Sequence, residues 1–149
     1  MAKEMDWDAR GALVKAHIAP LRFLIGDWEG EGSSHGAHVR GRLRARVSLD
    51  ESWVEVREQH WSATGALDHE ELTMYRYDPT NEQLRAFQFT GHAWLSEHVI
   101  IPENGGLRWF SGPLAPSVEI VPDGDDALRV TVREAFRGQP TGTFHYRRI

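Results

Sequence analysis

Polar and apolar residues alternate along most of this chain. In the clearest segment, residues 37–49, one set of alternate positions carries arginine and the other carries small or aliphatic residues. The arginines are Arg40, Arg42, Arg44 and Arg46, and the residues between them are Val39, Gly41, Leu43, Ala45 and Val47. A period of two is that of a β-strand with one face in water and the other in a core. We therefore expect the arginines to face outward as an ordinary solvated strand face, not as a docking stripe for an anionic partner.

Ten runs of this kind follow one another, separated by short turn sequences rich in Gly, Asn, Asp, Ser and Pro. The runs are Asp27–Ser33, Ala37–Leu49, Trp53–Ala63, His69–Tyr77, Gln83–Thr90, Ala93–Ile100, Leu107–Phe110, Ser117–Val121, Ala127–Phe136 and Thr143–Ile149. Many short strands joined by short hairpins favour a single antiparallel up-and-down β-barrel. We predict an all-β fold of about ten strands and one domain over residues 1–149, with a helical cap at 1–26 and the barrel at 27–149.

The segment before the first strand predicts how the barrel is closed. Residues Asp8–Ala19 carry apolar positions at helical spacing, with Leu13 and His17 on one face, and Pro20 ends this short helix. Trp28 then opens the first strand, and the next two residues on its face are glycines. We expect the Trp28 ring to plug the base of the barrel while the glycines let the strand bend.

The hairpin around residues 50–51 predicts a register for the second and third strands. It places Arg46 opposite Glu55 and Arg44 opposite Arg57. The inward set of the third strand then consists of Val54, Val56, Glu58 and His60. Two aliphatic residues followed by an acid and a histidine predict a dry base and a polar upper cavity.

Composition narrows the classes of partner and compartment. At 149 residues the chain fits one domain. It has no cysteine, which excludes disulfides and thiolate metal sites and suits a cytoplasmic location. The net charge of −5 argues against a nucleic-acid partner, and no apolar run approaches the roughly 18 residues of a membrane span. We expect a small-molecule ligand, no nucleic-acid or membrane partner, and a monomer or homodimer.

Several polar residues on the predicted strands could carry chemistry. The candidate ligand-binding residues are Glu58, His60, Trp94, His98, Glu134 and His145, and four of these, Glu58, His60, His98 and His145, are also candidate catalytic residues. An acid beside a histidine in a barrel can act as a general acid or base, because burial raises the pKa of the acid. Such groups can equally satisfy one another's hydrogen bonds. No metal-ligand motif occurs, so no metal site is predicted.

Two stretches resemble a known family. Pro20–Gly32 matches the pattern P-L-x-x-L-x-G-x-W-x-G-x-G that opens nitrobindin-like barrels, and His69–Arg76 resembles that family's H-R-E-x-G-F-x-R strand at its first, third and last positions. The chain thus resembles the calycin superfamily of lipocalin-like and fatty-acid-binding-like barrels, and within it the haem-binding nitrobindin group. The resemblance implies that Trp28 meets a basic residue of the last strand, Arg147 or Arg148.

The same resemblance bears on the cofactor. It places the haem-ligating histidine of the family at Thr141 of this chain, and a threonine is not a haem ligand. His145 lies four residues further on, about 13 Å along a strand that rises about 3.3 Å per residue. The cofactor is therefore left unknown, with haem implied by the family but not favoured. We expect a protein that binds a small, largely apolar molecule; the alternatives are an isomerase-, cyclase- or lyase-type enzyme and a nitrobindin-like haem protein.

Overall fold

The alternating runs form ten strands that close into one antiparallel barrel in the computed structural model, which describes residues 6–134 and 139–149. The strands are β1 (Gly26–Ser34), β2 (Ala37–Ser48), β3 (Trp53–Ser62), β4 (Leu67–Asp78), β5 (Gln83–Thr90), β6 (Leu95–Glu103), β7 (Gly106–Phe110), β8 (Ser117–Pro122), β9 (Ala127–Arg133) and β10 (Pro140–Arg148). Each strand pairs with its neighbour in sequence, and β1 pairs with β10 to close the barrel. The all-β, up-and-down prediction is confirmed.

Most strand boundaries lie within two or three residues of the predicted ones. The largest differences are of three residues: β10 begins at Pro140 instead of Thr143, and β6 ends at Glu103 instead of Ile100. The predicted ninth run extends to Phe136, whereas β9 ends at Arg133. Ala135 and Phe136 lie outside the described residues.

The predicted register of β2 and β3 is confirmed: Arg46 pairs with Glu55, and Arg44 pairs with Arg57. The arginines face outward and their neighbours Val39, Gly41, Leu43 and Ala45 are buried, as expected. Val47 is the exception, since it is 41% exposed. It lies at the end of β2, where the strand extends past the core, so alternation no longer buries the side chain.

The N-terminal segment covers the base of the barrel, but less of it is core than the helical pattern predicts. Helix α1 spans Trp7–His17 and none of its residues is buried; Leu13 is exposed. A 3₁₀ segment follows at Ala19–Leu24. The side chains that fill the base come from this segment and the residue before it: Ile18, Leu21 and Leu24. The 3₁₀ turn that begins at Ala19–Pro20, and not helix α1, therefore places the buried side chains at the base of the barrel.

Trp28 and Arg148 close the base of the barrel. The Trp28 side chain is 1% exposed and its Nε1 donates a hydrogen bond to the Leu24 carbonyl at 2.8 Å. The Arg148 guanidinium carbon lies 4.1 Å from the centre of the indole ring, and Arg148 also donates to the Ile25 carbonyl at 2.7 Å. Of the two basic residues predicted for this contact, Arg148 makes it, while Arg147 lies on the opposite face of β10.

Candidate functional site

Above this base, the barrel encloses a cavity of about 440 Å³. Most of its wall is apolar, and the residues that contribute this part are Val39, Leu43, Val56, Val118, Ile120, Val130, Val132, Trp109 and Phe144. One wall, built by β3, β4 and β5, is polar and carries Glu58, His60, His69, Glu71, Thr73 and Gln88. On β3 the buried aliphatic residues Val54 and Val56 precede Glu58 and His60, as predicted. Around the cavity itself, however, polar and apolar residues are divided between opposite walls and not between base and upper part.

Four side chains of the polar wall form what we call the carboxylate–imidazole quartet: Glu58, His60, His69 and Glu71. In the β3–β4 register Glu58 lies opposite Glu71, and His60 lies opposite His69. Each histidine donates to the glutamate two residues away on its own strand: His60 Nε2 to Glu58 Oε1 at 2.8 Å, and His69 Nε2 to Glu71 Oε2 at 2.8 Å. Two carboxylates on neighbouring strands would repel each other, so each is held beside its own imidazole.

Tyr146 of β10 reaches the quartet across two glycines. Its hydroxyl donates to Glu58 Oε1 at 2.7 Å and lies 3.3 Å from His60 Nε2. Tyr146 pairs with Gly30 of β1, which pairs with Gly41 of β2. A Cβ atom on Gly41 would overlap the Tyr146 hydroxyl, and one on Gly30 would overlap the backbone of β10. Gly41 therefore leaves space for the tyrosine side chain, and Gly30 allows β10 to approach β1 closely.

Glu71 is held from a third strand as well. Gln88 Nε2 donates to its Oε2 at 2.7 Å, and Thr73 Oγ1 donates to its Oε1 at 3.3 Å. Ser96 Oγ donates to Gln88 Oε1 at 3.0 Å and lies 2.8 Å from His98 Nε2. The quartet is thus fixed by its surroundings, and His98 is connected to it through two intermediate side chains.

The electrostatic environment keeps Glu58 ionised and Tyr146 protonated. Burial works to raise the pKa of Glu58, but the hydrogen bond and charge of His60, together with the Tyr146 hydroxyl, outweigh it and lower that pKa. Burial and the Glu58 charge raise the pKa of Tyr146, so its hydroxyl stays a donor. The hydrogen bond to Glu71 raises the pKa of His69 against an opposing effect of burial. The cavity wall is therefore anionic once its histidines are neutral.

Of the sequence-predicted site residues, only Glu58 and His60 line the cavity. The expectation that His145 contributes is wrong: it is exposed on the outer face, because the alternate residues of β10 fill the interior. Trp94 is 68% exposed in the turn before β6. His98 is half-buried on β6, with its ring centre 4.8 Å from that of Trp109, but it is not a lining residue. Glu134 lies beyond the end of β9, also outside the cavity lining.

His69, Glu71 and Tyr146 are not among the site residues predicted from the sequence. A signal for the quartet is present in the chain: β3 carries glutamate and histidine two residues apart, and β4 carries the same pair in reverse order, at His69 and Glu71. Antiparallel strands bring such mirrored pairs together. For Tyr146 the signal is the large residue that faces small ones, Gly30 and Gly41, on the neighbouring strands.

The residues present do not fit a haem ligated from the last strand. Thr141 lines the cavity at the position where the resemblance would place the histidine, and threonine is not among the side chains that ligate haem iron, which are His, Cys, Met and Tyr. Within residues 6–134 and 139–149, no cluster of three or more metal-ligating side chains is found.

A closed ten-stranded barrel with a short N-terminal helix is compatible with a calycin-like fold. Neither models of known protein families nor curated proteins match this chain. In the described part of the chain, the only α-helix has eleven residues, and no helix meets the length and hydropathy needed to cross a bilayer.

Proposed function

We propose that this protein binds a small, largely apolar molecule in the barrel cavity. The observation that carries the proposal is the cavity itself, whose volume of about 440 Å³ lies within the roughly 300–1,000 Å³ that small-molecule sites occupy. Such sites combine apolar walls with a few convergent polar groups. Here the polar groups converge on one wall, so a ligand would place an apolar body against β8–β10 and a polar end against β3 and β4.

Ligand binding is tested with freshly purified protein by native mass spectrometry and by thermal shift across a panel of lipids and small hydrophobic compounds. A ligand present at one hundred times its Kd should stabilise the fold by about 2.7 kcal/mol. A co-purifying molecule or a saturable thermal shift supports the proposal. Repeatedly empty spectra with no shift across the panel would contradict it.

A pair of variants on one strand locates the binding. Val118 lines the cavity, so Val118→Phe should fill part of it and weaken binding. Val121 lies on the same strand with the opposite orientation, where it pairs with Arg129. Val121→Phe adds the same ring outside the barrel and should leave binding unchanged. Equal effects of the two substitutions would place the ligand elsewhere.

A second candidate function is catalysis of proton transfer on a small molecule in the same cavity. It is favoured by one contact: Glu58 accepts from His60 Nε2, which orients the imidazole and leaves Nδ1 as the basic nitrogen. Carbonyl compounds with an acidic neighbouring C–H suit such a base. In D₂O, ¹H NMR should show faster C–H exchange with the protein than with His60→Gln; equal rates would count against this function.

A nitrobindin-like haem function would require an axial ligand from another wall than β10. We expect no stoichiometric complex when hemin is added. The visible spectrum tests this directly, because a sharp Soret band at one-to-one stoichiometry would restore the haem assignment.

A further inference from the structure

The acidic residues of the described cavity lining have no lysine or arginine beside them in that lining. The acids and histidines in the described lining are three of each: Glu58, Glu71 and Asp68, with His35, His60 and His69. Tyr75 also lines the cavity, and burial raises the pKa of its hydroxyl, which stays neutral. No lysine or arginine belongs to that described lining; the arginines of β2 lie on the outer face. A ligand with a carboxylate would thus meet two glutamates and, among the described lining residues, no permanently positive side chain.

One carboxylate oxygen is available to a ligand. Both donors that hold Glu58, from His60 and Tyr146, reach the same atom, Oε1. Among the described residues no side chain donates to its Oε2, and Glu58 lines the cavity with 14% of its side chain exposed. A buried carboxylate oxygen gains most from a donor that carries positive charge.

We propose that the cavity selects molecules with an amine-type, positively charged head on an apolar body, and that it discriminates against fatty acids and other carboxylates. This inference rests on the proposed binding function. The ammonium group would lie against Glu58 Oε2 and beside Glu71, which is directly opposite on β4. An ammonium enters an apolar interior only when paired, and the glutamates supply that pairing.

The quartet also gives the selection a pH dependence of known sign. His69 faces Glu71 on its own strand and Glu58 and His60 on β3, with a distance of 5.3 Å between the two imidazole centres. As pH rises, His69 loses its proton and Glu71 loses its positive partner. Amine affinity should therefore rise between pH 6 and 8.5, where an alkylamine stays protonated as lysine does, with a pKa of about 10.4. Carboxylate affinity should fall over the same range.

The test uses three probes that differ only in their heads: decylamine, 1-decanol and decanoate. Isothermal titration at pH 8.5 should give decylamine a Kd about tenfold or more below that of decanol, with decanoate weakest. Decanoate binding as tightly as decylamine, or decanol equalling it, would overturn this inference and leave the proposed function intact. Failure of all three probes to bind would overturn both.

Glu58→Gln tests the residue. The amide keeps an acceptor for His60 and Tyr146 but removes the charge, so decylamine affinity should fall about tenfold while decanol affinity stays within about twofold. Glu55→Gln is the matched control: Glu55 lies on the same strand but pairs with Arg57 outside the barrel at 3.0 Å. An unchanged decylamine affinity in Glu58→Gln would contradict the assignment. If that variant does not fold, the pH dependence of decylamine binding to the unaltered protein decides, because a Kd that does not fall as pH rises overturns the inference.

Discussion

Replacing Trp28 by alanine should remove the closure of the barrel base. The substitution deletes a ring that is 1% exposed, leaves the Leu24 carbonyl without its donor, and takes away the aromatic face on which Arg148 lies. Truncation of a buried aromatic residue costs about 3–5 kcal/mol. The lost cation–π contact accounts for roughly 0.5–2 kcal/mol of this. In a protein of this size about 1 kcal/mol corresponds to 2–4 °C, so Tm should fall by about 6–20 °C.

A double-mutant cycle separates the cation–π energy from the other contributions to the stability lost in Trp28→Ala. Urea unfolding of Trp28→Leu, Arg148→Gln and the double variant should give a coupling energy of about 0.5–2 kcal/mol. Arg147→Gln is the matched control, because Arg147 neighbours Arg148 on β10 but lies on the opposite face of the strand. Its free energy of unfolding should stay within about 0.5 kcal/mol of the unaltered protein. Additive effects at Trp28 and Arg148, or an equal loss in Arg147→Gln, would refute this account of the base.

Three further outcomes follow from the site. Gly41→Ala should lower the free energy of unfolding, measured in urea, by about 1–3 kcal/mol, because the added methyl overlaps the Tyr146 hydroxyl that reaches Glu58. Gly91→Ala is the control: a Cβ atom there has its nearest neighbour at 3.6 Å, so stability should change far less. The pKa of the His69 imidazole, measured by NMR, should lie above 6.5 and should decrease in Glu71→Gln. The stability linked to this proton is complete below pH 6.5 and is lost as pH rises through the raised pKa. His69→Gln should therefore lose less stability than the unaltered protein between pH 6 and 8.5. The stability linked to Glu58 is present above its ordinary pKa of 4.5 and is lost as pH falls through the lowered pKa. In Glu58→Gln the free energy of unfolding, measured in urea, should therefore decrease less as the pH is lowered.

The strands could be predicted because each depends on residues close in sequence. Alternation identifies a strand and its faces, and the turn fixes the register of a hairpin, as the pairing of Arg46 with Glu55 illustrates. The same rules fail where an element extends past the core. Val47 and Leu13 both follow an apolar pattern and are both exposed. Periodicity tells which residues share a face, but only tertiary contacts tell how far along the element that face is covered.

Half of the quartet could not be predicted in this way because of a bulge in the β3–β4 hairpin. Next to the turn Trp61 pairs with Leu67. Counting onward from that pair would set Glu58 opposite Glu70 and turn Glu71 outward. A register shift one residue before Trp61 sets Glu58 opposite Glu71 instead. Since a slip of one residue exchanges the faces of a strand, the bulge decides which glutamate enters the cavity.

The two ends of the barrel use charge for different purposes. At the base Arg148 lies against Trp28 and backbone carbonyls, and these contacts close the barrel. In the cavity Glu58 and Glu71 are brought opposite each other, an arrangement that destabilises a sheet. Apolar residues of similar volume can replace buried ionic groups at little or no cost in stability, so folding alone does not require these acids. We infer that ligand recognition does. Glu58→Gln should therefore change head-group selectivity in the folded protein, whereas Trp28→Ala should lower Tm and leave the selectivity of the folded fraction unchanged.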